Sequence, residues 1–551
     1  MRKYSHSPSR PTNSSRGLLI VLGMAALVAY LLMNHLMVSE VAGRFFTREL
    51  YKSIVYVSWI VCAFLVFSAA LLTLRRTGLA LLLLVSCVSA TTNYVYATVG
   101  QQDITPDLME WMAHETTQLP NAWAEFRPEI VTATAMAIGA LAVLLVIRAV
   151  IRRKRLLRAS LLAHPGARTL AIGSFLGFHG AAMLIQPSYT VAETNVLVFG
   201  IPTYFLSEAP RPNDVSVHPE VPARAQKILL VVDESVGHDI YADVVAPAVR
   251  QLPVIDYGEA ASVANCSAVS NALLRWGLER SRVGEAGYDP RTNPTIWGLA
   301  KAAGFRTTLI DGQSKGTIQN FLSTGELALI DEFVPAADGL LTDHRIAEIL
   351  GERLSRPGRE LIYVVKRGAH FPYETNYPEG TVPPGAPKAS QYAAAITYTT
   401  AGFFERLQKR LPLSELLLVY TSDHGQNLSS RATHCSAERH PDEYSVPLTV
   451  LTEVPSFKAL LLDAAPEMRN RASHLNIFPT LLYGLGYARD WIEATYGPTL
   501  AGPAAGYTTL TWHLPYPTRR KDTVDFEITA HFPGLGSQHA QDATAVPPVV
   551  D

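Results

Sequence analysis

The stretch Lys227–Asp239, KILLVVDESVGHD, decides the fold. Five apolar residues, Ile228 to Val232, read as a short buried strand that stops on Asp233-Glu234-Ser235. Two acids at the end of a run of Ile, Leu and Val are costly to bury unless something cationic meets them. In an open α/β sheet, ligands and metals sit at the carboxyl ends of the strands. Two later stretches share this form. Leu416–Tyr420 runs into Thr421-Ser422-Asp423-His424-Gly425, and Leu361–Val365 runs into Lys366-Arg367-Gly368-Ala369-His370. One polar residue after a strand is usually a turn. Three strands ending in Glu, Asp-His and His point to one metal centre. Around them, apolar strands alternate with helical patterns such as Thr295–Ala303 and Tyr398–Leu411. That alternation predicts a mostly parallel α/β sheet over residues 226–500, a stretch long enough to bury its own core.

N-terminal to this domain the composition changes. Charged residues are 17% of the 551-residue chain, below the roughly 25% of soluble domains, and the deficit lies in the N-terminal part. Five stretches approach the roughly 20 apolar residues that cross a bilayer: Gly17–Val38, Ser53–Leu74, Leu79–Ala97, Ile130–Ile151 and Thr169–Ile185. The first is too long for a signal-peptide core, lacks a small-residue cleavage site and precedes four more spans, so it reads as a retained helix.

Positive charge collects in the N-terminal tail (Arg2, Lys3, Arg10, Arg16), at Arg75-Arg76 and at Arg152–Arg158. The positive-inside rule puts these on the cytoplasmic side, with Arg44, Arg48 and Lys52 dissenting mildly. The expected organisation is a cytoplasmic tail over 1–16 and a five-span domain over 17–186 with an extracytoplasmic loop at 99–129. A Pro-bearing linker over 187–225, an extracytoplasmic catalytic domain over 226–500 (the periplasmic domain of the resemblance given below) and a tail over 501–551 follow, the tail lying on the surface or partly disordered. Within the loop, Leu108, Met109, Trp111, Met112 and Trp123 among acids read either as an interfacial helix or as a surface meeting lipid. With a formal net charge of −1 and no basic patch interleaved with aromatics, nothing points to nucleic acid, and no nucleic-acid partner is expected.

Metal chemistry needs donors converging from different strands. Zinc takes His nitrogen and carboxylate oxygen in tetrahedral sets, leaving one position for a reacting group. Glu234, Asp423 and His424 supply such a set. His370 and His434 supply a second set or contacts to a phosphate, although His434 alone also reads as a surface-loop histidine. The nucleophile is expected between the first and later strands, where Ala264–Asn271 enters a helix at Ala268–Leu278. A hydroxyl there gains from helix N-terminal N–H groups that hold phosphate, and bound to zinc a serine can attack phosphorus. Ser267 is that candidate; its alternative is a plain helix N-cap. Of four cysteines, Cys62 and Cys87 sit in apolar runs as packing, while Cys266 and Cys435 are in the polar half.

These residues carry a resemblance. The soluble half resembles the alkaline phosphatase/sulfatase superfamily. Residues 17–490 as a whole resemble the bacterial membrane phosphoethanolamine transferases, which have five N-terminal transmembrane helices and a periplasmic zinc domain. The family's Gly-Glu-Thr is matched by Asp233-Glu234-Ser235, its Thr-Ala-x-Ser by Ser267-Ala268-Val269-Ser270, and its Ser-Asp-His-Gly by Ser422–Gly425 unchanged. Ser-His-Gly-Pro followed by Tyr-Pro is similar to Ala369–Pro372 and Tyr377-Pro378. Ser-His-Asp-Asn-Ile-Phe leading into Thr-Leu-Leu is similar to Ser473–Phe478 and Thr480–Leu482. Met109, Glu115 and Thr116 fall where the family has Met, Glu and Thr in its lipid-facing loop.

The chain also departs from the family. The nucleophile is Ser, and Gln426-Asn427-Leu428-Ser429 replaces Glu-Ser-Leu-Gly. The last histidine is therefore placed by loop length, His434 fitting best and His440 remaining the alternative. The family's several disulfides are reduced here to Cys266 and Cys435. In an assembled site the two come close enough to bridge, or they stay as unpaired thiols.

The resemblance implies a multi-pass protein of the bacterial inner membrane that uses one or two Zn2+. It would move phosphoethanolamine from a membrane phospholipid, phosphatidylethanolamine, to lipid A, lipopolysaccharide core or another envelope glycan through a covalent serine intermediate. The alternatives of the same fold are a glycerophosphate transferase, a phosphodiesterase and a sulfatase-like hydrolase. The last is disfavoured because the Cys266–Ser270 register lacks the Arg of the formylglycine motif. A non-catalytic membrane sensor or scaffold is the reading from a different class.

Overall fold

The computed structural model describes residues 13–34, 50–100, 119–154, 156–157, 164–185, 211–283, 285, 288–314, 319–436, 440–502, 509–511 and 527–529. The chain divides into two compact units, Met1–Ala113 with Phe126–Ser207 and His114–Glu125 with Glu208–Asp551.

The first unit is built of helices: α1 (Asn13–Met33), α2 (Leu50–Thr73), α3 (Arg76–Gly100), α4 (Leu119–Arg153, from Phe126 onward) and α5 (Pro165–Ile185). Among the described residues, Arg16–Met33, Arg76–Val99 and Ala122–Arg153 are long and apolar enough to cross a bilayer, and Val57–Thr73 is a shorter apolar stretch. Small residues face inward, with Ala26, Ala29, Ala63, Ala70, Ala137 and Ala140 buried, while Ile20, Met24, Leu81, Leu84 and Val146 are exposed. Apolar faces turned outward over small-residue interfaces suit lipid rather than water. The fourth helix starts well before the expected Ile130. It carries non-helical angles at Phe126 (φ −106°, ψ 17°), two residues before Pro128. Proline lacks the N–H and crowds the preceding turn, so the helix bends there instead of ending. At its other end, Arg148 donates to Leu71 O (2.5 Å) and Leu74 O (2.7 Å), and Arg152 to Leu72 O (2.7 Å). These guanidinium groups satisfy carbonyls that the end of α2 leaves without helical partners.

The second unit holds an eight-stranded sheet in the order β4-β3-β5-β1-β6-β7-β2-β8. Its strands are β1 (Lys227–Asp233), β2 (Val254–Ala261), β3 (Arg306–Asp311), β4 (Glu332–Pro335), β5 (Glu360–Val365), β6 (Leu416–Ser422), β7 (Ser445–Leu451) and β8 (Ala472–Ser473). The opening stretch is the central strand, parallel to β5 on one side and β6 on the other. Its side chains alternate between two cores: Ile228, Leu230 and Val232 enter one, Leu229 and Val231 the other. Both faces are covered, so the strand reads as an unbroken apolar run. All five side chains are at most 2% exposed, and their burial contributes on the order of 10 kcal/mol before chain entropy is counted. The sheet is mostly parallel but mixed, because β7 runs antiparallel to both β6 and β2.

Residues 211–225, within the expected linker, lie along this unit. Glu220 and Val221 donate to Gly486 O at 3.1 and 3.3 Å, and Arg224 N–H donates to Gly484 O at 2.9 Å. Gly486 has φ +100°, and a Cβ there would meet Val221 O at 2.3 Å, so the docking needs glycine. In the tail, Thr509–Thr511 and Glu527–Thr529 pair as a small antiparallel ribbon.

Candidate metal and nucleophile site

The two acids that end β1 have different fates. Asp233 turns down into the sheet. There Lys366 Nζ (2.6 Å), Thr400 Oγ1 (2.8 Å) and Tyr420 OH (2.9 Å) all donate to its Oδ2. Asp233 and Lys366 are both fully buried, so the cation demanded by the first acid comes from the end of β5. Glu234 has no such partner. It accepts Ser235 Oγ at 2.8 Å and Gln313 Nε2 at 2.7 Å, and burial, then the neighbouring Asp423 carboxylate, push its pKa well above the ordinary range.

The end of β6 brings the second acid. Asp423 Oδ1 accepts the N–H groups of Ser235 (3.0 Å) and His424 (2.7 Å), while Oδ2 is buried and has no partner among the described residues. The His424 Nδ1–H donates to Gly425 O at 2.8 Å, a bond that turns the Nε2 lone pair into the site. That nitrogen lies 3.6 Å from both Glu234 Oε1 and Asp423 Oδ2. One donor atom each from Glu234, Asp423 and His424 falls within 4.8 Å of the others. Two buried carboxylates, an orphaned oxygen and an imidazole lone pair, with no cation paired to them among the described residues, form a set that fits a divalent metal and is unfavourable without one.

Ser267 completes the cluster. Helix α6 (Ser267–Trp276) is capped by Cys266, with extended φ −134° and ψ 136°, and Ser267 is its first helical residue. The N-cap reading therefore does not hold. The side chain instead reaches Glu234 Oε1 at 3.3 Å and His424 Nε2 at 3.1 Å. The helix is anchored from behind by a buried pair, Arg275 Nε to Glu326 Oε1 at 2.6 Å, whose carboxylate also accepts the indole N–H groups of Trp276 and Trp297 at 3.0 and 2.9 Å.

The backbone around the acids is held tightly. Ser235 adopts φ +62°, unusual for a residue with a side chain. Its N–H binds Asp423, and its carbonyl accepts Tyr392 OH at 2.7 Å. Gly368 has φ +53°, and a Cβ would meet Asp233 Oδ1 and Glu234 O at 2.5 Å, so the Lys-Arg-Gly turn before His370 lies directly on the acids.

His370 and His434 are half-buried. Burial lowers the pKa of both, most strongly for His434, where the neighbouring His424 and His370 add to it. The His434 ring stacks on His424 with centroids 4.3 Å apart. His440 instead turns to Asp442, 3.5 Å away, on a more exposed edge; of the two, His434 is the one that lies against His424. Cys266 and Cys435 are joined by a disulfide. Met109, Glu115 and Thr116 lie outside the described residues.

Sequence reasoning missed Lys366, Gln313, Tyr392 and the buried Glu443. The signal for Lys366 was its place at the end of β5 facing an acid at the end of β1. Gln426, the departure after Asp423-His424-Gly425, is 6% exposed, with both amide atoms unpartnered among the described residues. His474, in the Ser473–Phe478 motif, accepts Val263 N–H at 3.2 Å through Nδ1 and contacts Thr421 at 3.1 Å through Nε2, and burial lowers its pKa to about 4. It supports the loop to Ser267 as a neutral ring.

A sulfatase family model matches residues 257–487. The matched residues lie in the second unit, and the first unit carries membrane-length apolar helices. Among solved structures, the chain is similar in fold to the integral membrane lipooligosaccharide phosphoethanolamine transferase A (EptA) of Neisseria meningitidis. That likeness has a TM-score of 0.56 and 14% identity, covering 87% of this chain and 98% of that one. The C-terminal periplasmic domain of Escherichia coli EptC, solved as a Zn complex, matches with TM-score 0.43 and 16% identity over 57% of this chain and 96% of its own. No curated protein sequence matches significantly.

Proposed function

We propose that the protein is a zinc-dependent phosphoethanolamine transferase of the bacterial inner membrane. The observation that carries this reading is the placement of Ser267 Oγ within 3.3 Å of both Glu234 and His424, beside an unpartnered Asp423 oxygen. Glu234, Asp423, His424 and Ser267 would hold Zn2+ in the periplasmic domain, with His370 and His434 contacting the phosphoryl group or a second ion. Zinc bound there supplies the charge that lowers the serine pKa and offsets charge developing on the phosphoryl oxygens.

The chain's own groups do the rest. The Glu234 carboxylate and the His424 lone pair fix the hydroxyl, and the start of α6 presents its N–H groups to phosphate. Ser267 Oγ forms a bond to the phosphorus of phosphatidylethanolamine as the bond to diacylglycerol breaks, and the diacylglycerol oxygen takes up a proton. A hydroxyl or phosphate oxygen of an acceptor such as lipid A then attacks the same phosphorus and releases the serine. Donor and acceptor both reside in the envelope, which accounts for joining the domain to membrane helices.

The test is intact mass of the full-length protein in detergent with zinc, after incubation with phosphatidylethanolamine or phosphatidylglycerol. A phosphoethanolamine-sized gain that is lost in Ser267→Ala is expected. An adduct from phosphatidylglycerol alone would make the transferred group glycerophosphate. Bound zinc with release of head group and no adduct would indicate a phosphodiesterase. No zinc and no adduct would leave a scaffold.

A further inference from the structure

Cys266 immediately precedes Ser267, and Cys435 immediately follows His434. The disulfide between them joins residues 169 apart and ties the start of α6 to the loop that carries His434. Hydrogen bonds link the same two segments. Cys435 N–H donates to Asn265 O at 2.8 Å, and Asn265 Nδ2 donates to Ser436 O at 2.9 Å and to Glu443 Oε2 at 2.7 Å. Glu443, fully buried, also accepts Ser436 N–H at 3.1 Å and the Ser436 hydroxyl. Asn427 N–H to Thr433 O, at 2.7 Å, closes the base of the loop.

His434 itself is held lightly. Among the described residues its ring has one hydrogen-bond contact, to the adjacent Thr433 Oγ1 at 3.2 Å, and otherwise stacks on His424. Its orientation therefore depends on the frame of residues 433–436, and that frame is bolted to the residues before the nucleophile.

We propose that the Cys266–Cys435 disulfide is a positioning element of the active site, holding His434 against His424 in register with Ser267, so that the oxidised protein is the competent form. This rests on the reading of Ser267 as nucleophile and His434 as a phosphoryl or metal contact. The Asn265–Glu443–Ser436 hydrogen bonds persist without the bridge, so reduction loosens the loop without unfolding the domain. A water-soluble phosphine is the suitable reductant because it needs no thiol that would compete for zinc. It is oxidised to the phosphine oxide with oxygen from water, while the S–S bond becomes two cysteine thiols.

The experiment uses the full-length protein in detergent: oxidised, phosphine-reduced, and as the Cys266→Ser/Cys435→Ser double variant. Hydrogen exchange is expected to quicken at Thr433–Cys435 in the reduced and double-variant forms while the amides of Ile228–Val232 stay protected. Head-group transfer from phosphatidylethanolamine is expected to fall about tenfold or more on reduction. In a His434→Ala background, reduction is expected to cost nothing further, because the two changes act through one element. Unchanged exchange on reduction overturns the proposal, as does an equal loss of rate with and without His434. A parent that transfers no head group would sink the transferase reading, while the exchange measurement would still decide the role of the bridge.

Discussion

Asp311→Asn is expected to stabilise the protein, and to do so more at pH 8 than at pH 5. Asp311 ends β3 and is 4% exposed. Its Oδ1 accepts the N–H groups of Gln313 (2.9 Å) and Ser314 (3.1 Å), and Gln319 Nε2 donates to both oxygens at 3.1 and 3.2 Å. Gln313 is the residue that donates to Glu234, so this carboxyl supports the site from behind. Burial outweighs these bonds and raises its pKa from 3.8 to about 6.

The folded state thus holds a proton that the unfolded chain has already lost between those two values. The contribution of the neutral acid is fully present below the unfolded pKa and is lost as pH rises through about 6. A shift of about two units is worth about 3 kcal/mol once both states are ionised, and about half of that has been lost at pH 5. Asn cannot ionise. Its carbonyl keeps the two backbone bonds, and its NH2 finds an acceptor if the Gln319 amide turns over, because Gln319 Oε1 has no partner among the described residues. At about 2 °C per kcal/mol for a domain of this size, the variant should melt about 6 °C above the parent at pH 8 and about 3 °C above it at pH 5. Thermal unfolding of full-length protein in detergent with saturating zinc is the assay. Any constant effect of the substitution cancels in the comparison of the two pH values. An advantage that fails to grow from pH 5 to pH 8 would refute the reasoning.

Further outcomes are expected at the site and behind it. Chelation should lower the melting midpoint of the parent, since Glu234 and Asp423 are left facing each other and metal binds only the folded protein. Asp423→Asn should lose bound zinc by elemental analysis yet melt above the chelated parent; a metal-free variant no more stable than that parent would deny the carboxylate repulsion. Gln426→Met removes a buried amide without partners among the described residues and is expected to gain about 1–3 kcal/mol, read by the same melt; a loss would mean that the amide is satisfied. Glu326→Gln leaves the buried Arg275 guanidinium without its counter-charge and is expected to cost about 3–5 kcal/mol, with loosened exchange in α6.

Much of the architecture was legible because it is local. A both-faces-buried strand must read as an apolar run, and a polar residue closing it must sit at the sheet's carboxyl edge. On that ground alone Glu234, Asp423, His424 and His370 could be named from three separate stretches, and Ser267 from the helix that follows the second strand. The alternation of strands and helices in the soluble unit likewise determined a mostly parallel sheet. The antiparallel β7 was not legible, because strand direction depends on how the chain returns and not on the pattern within the strand.

Tertiary structure alone decided which acid faces the site. Asp233 and Glu234 are adjacent and alike, and Lys366, 133 residues away, is what neutralises the first and leaves the second exposed to its neighbour Asp423. The same holds for His434 over His440, for Ser267 as the first residue of α6 with its hydroxyl free of capping, and for the bridge from Cys266 to Cys435. Burial and charge compensation are properties of space around a group, so residue order determined the candidates and the three-dimensional environment chose among them.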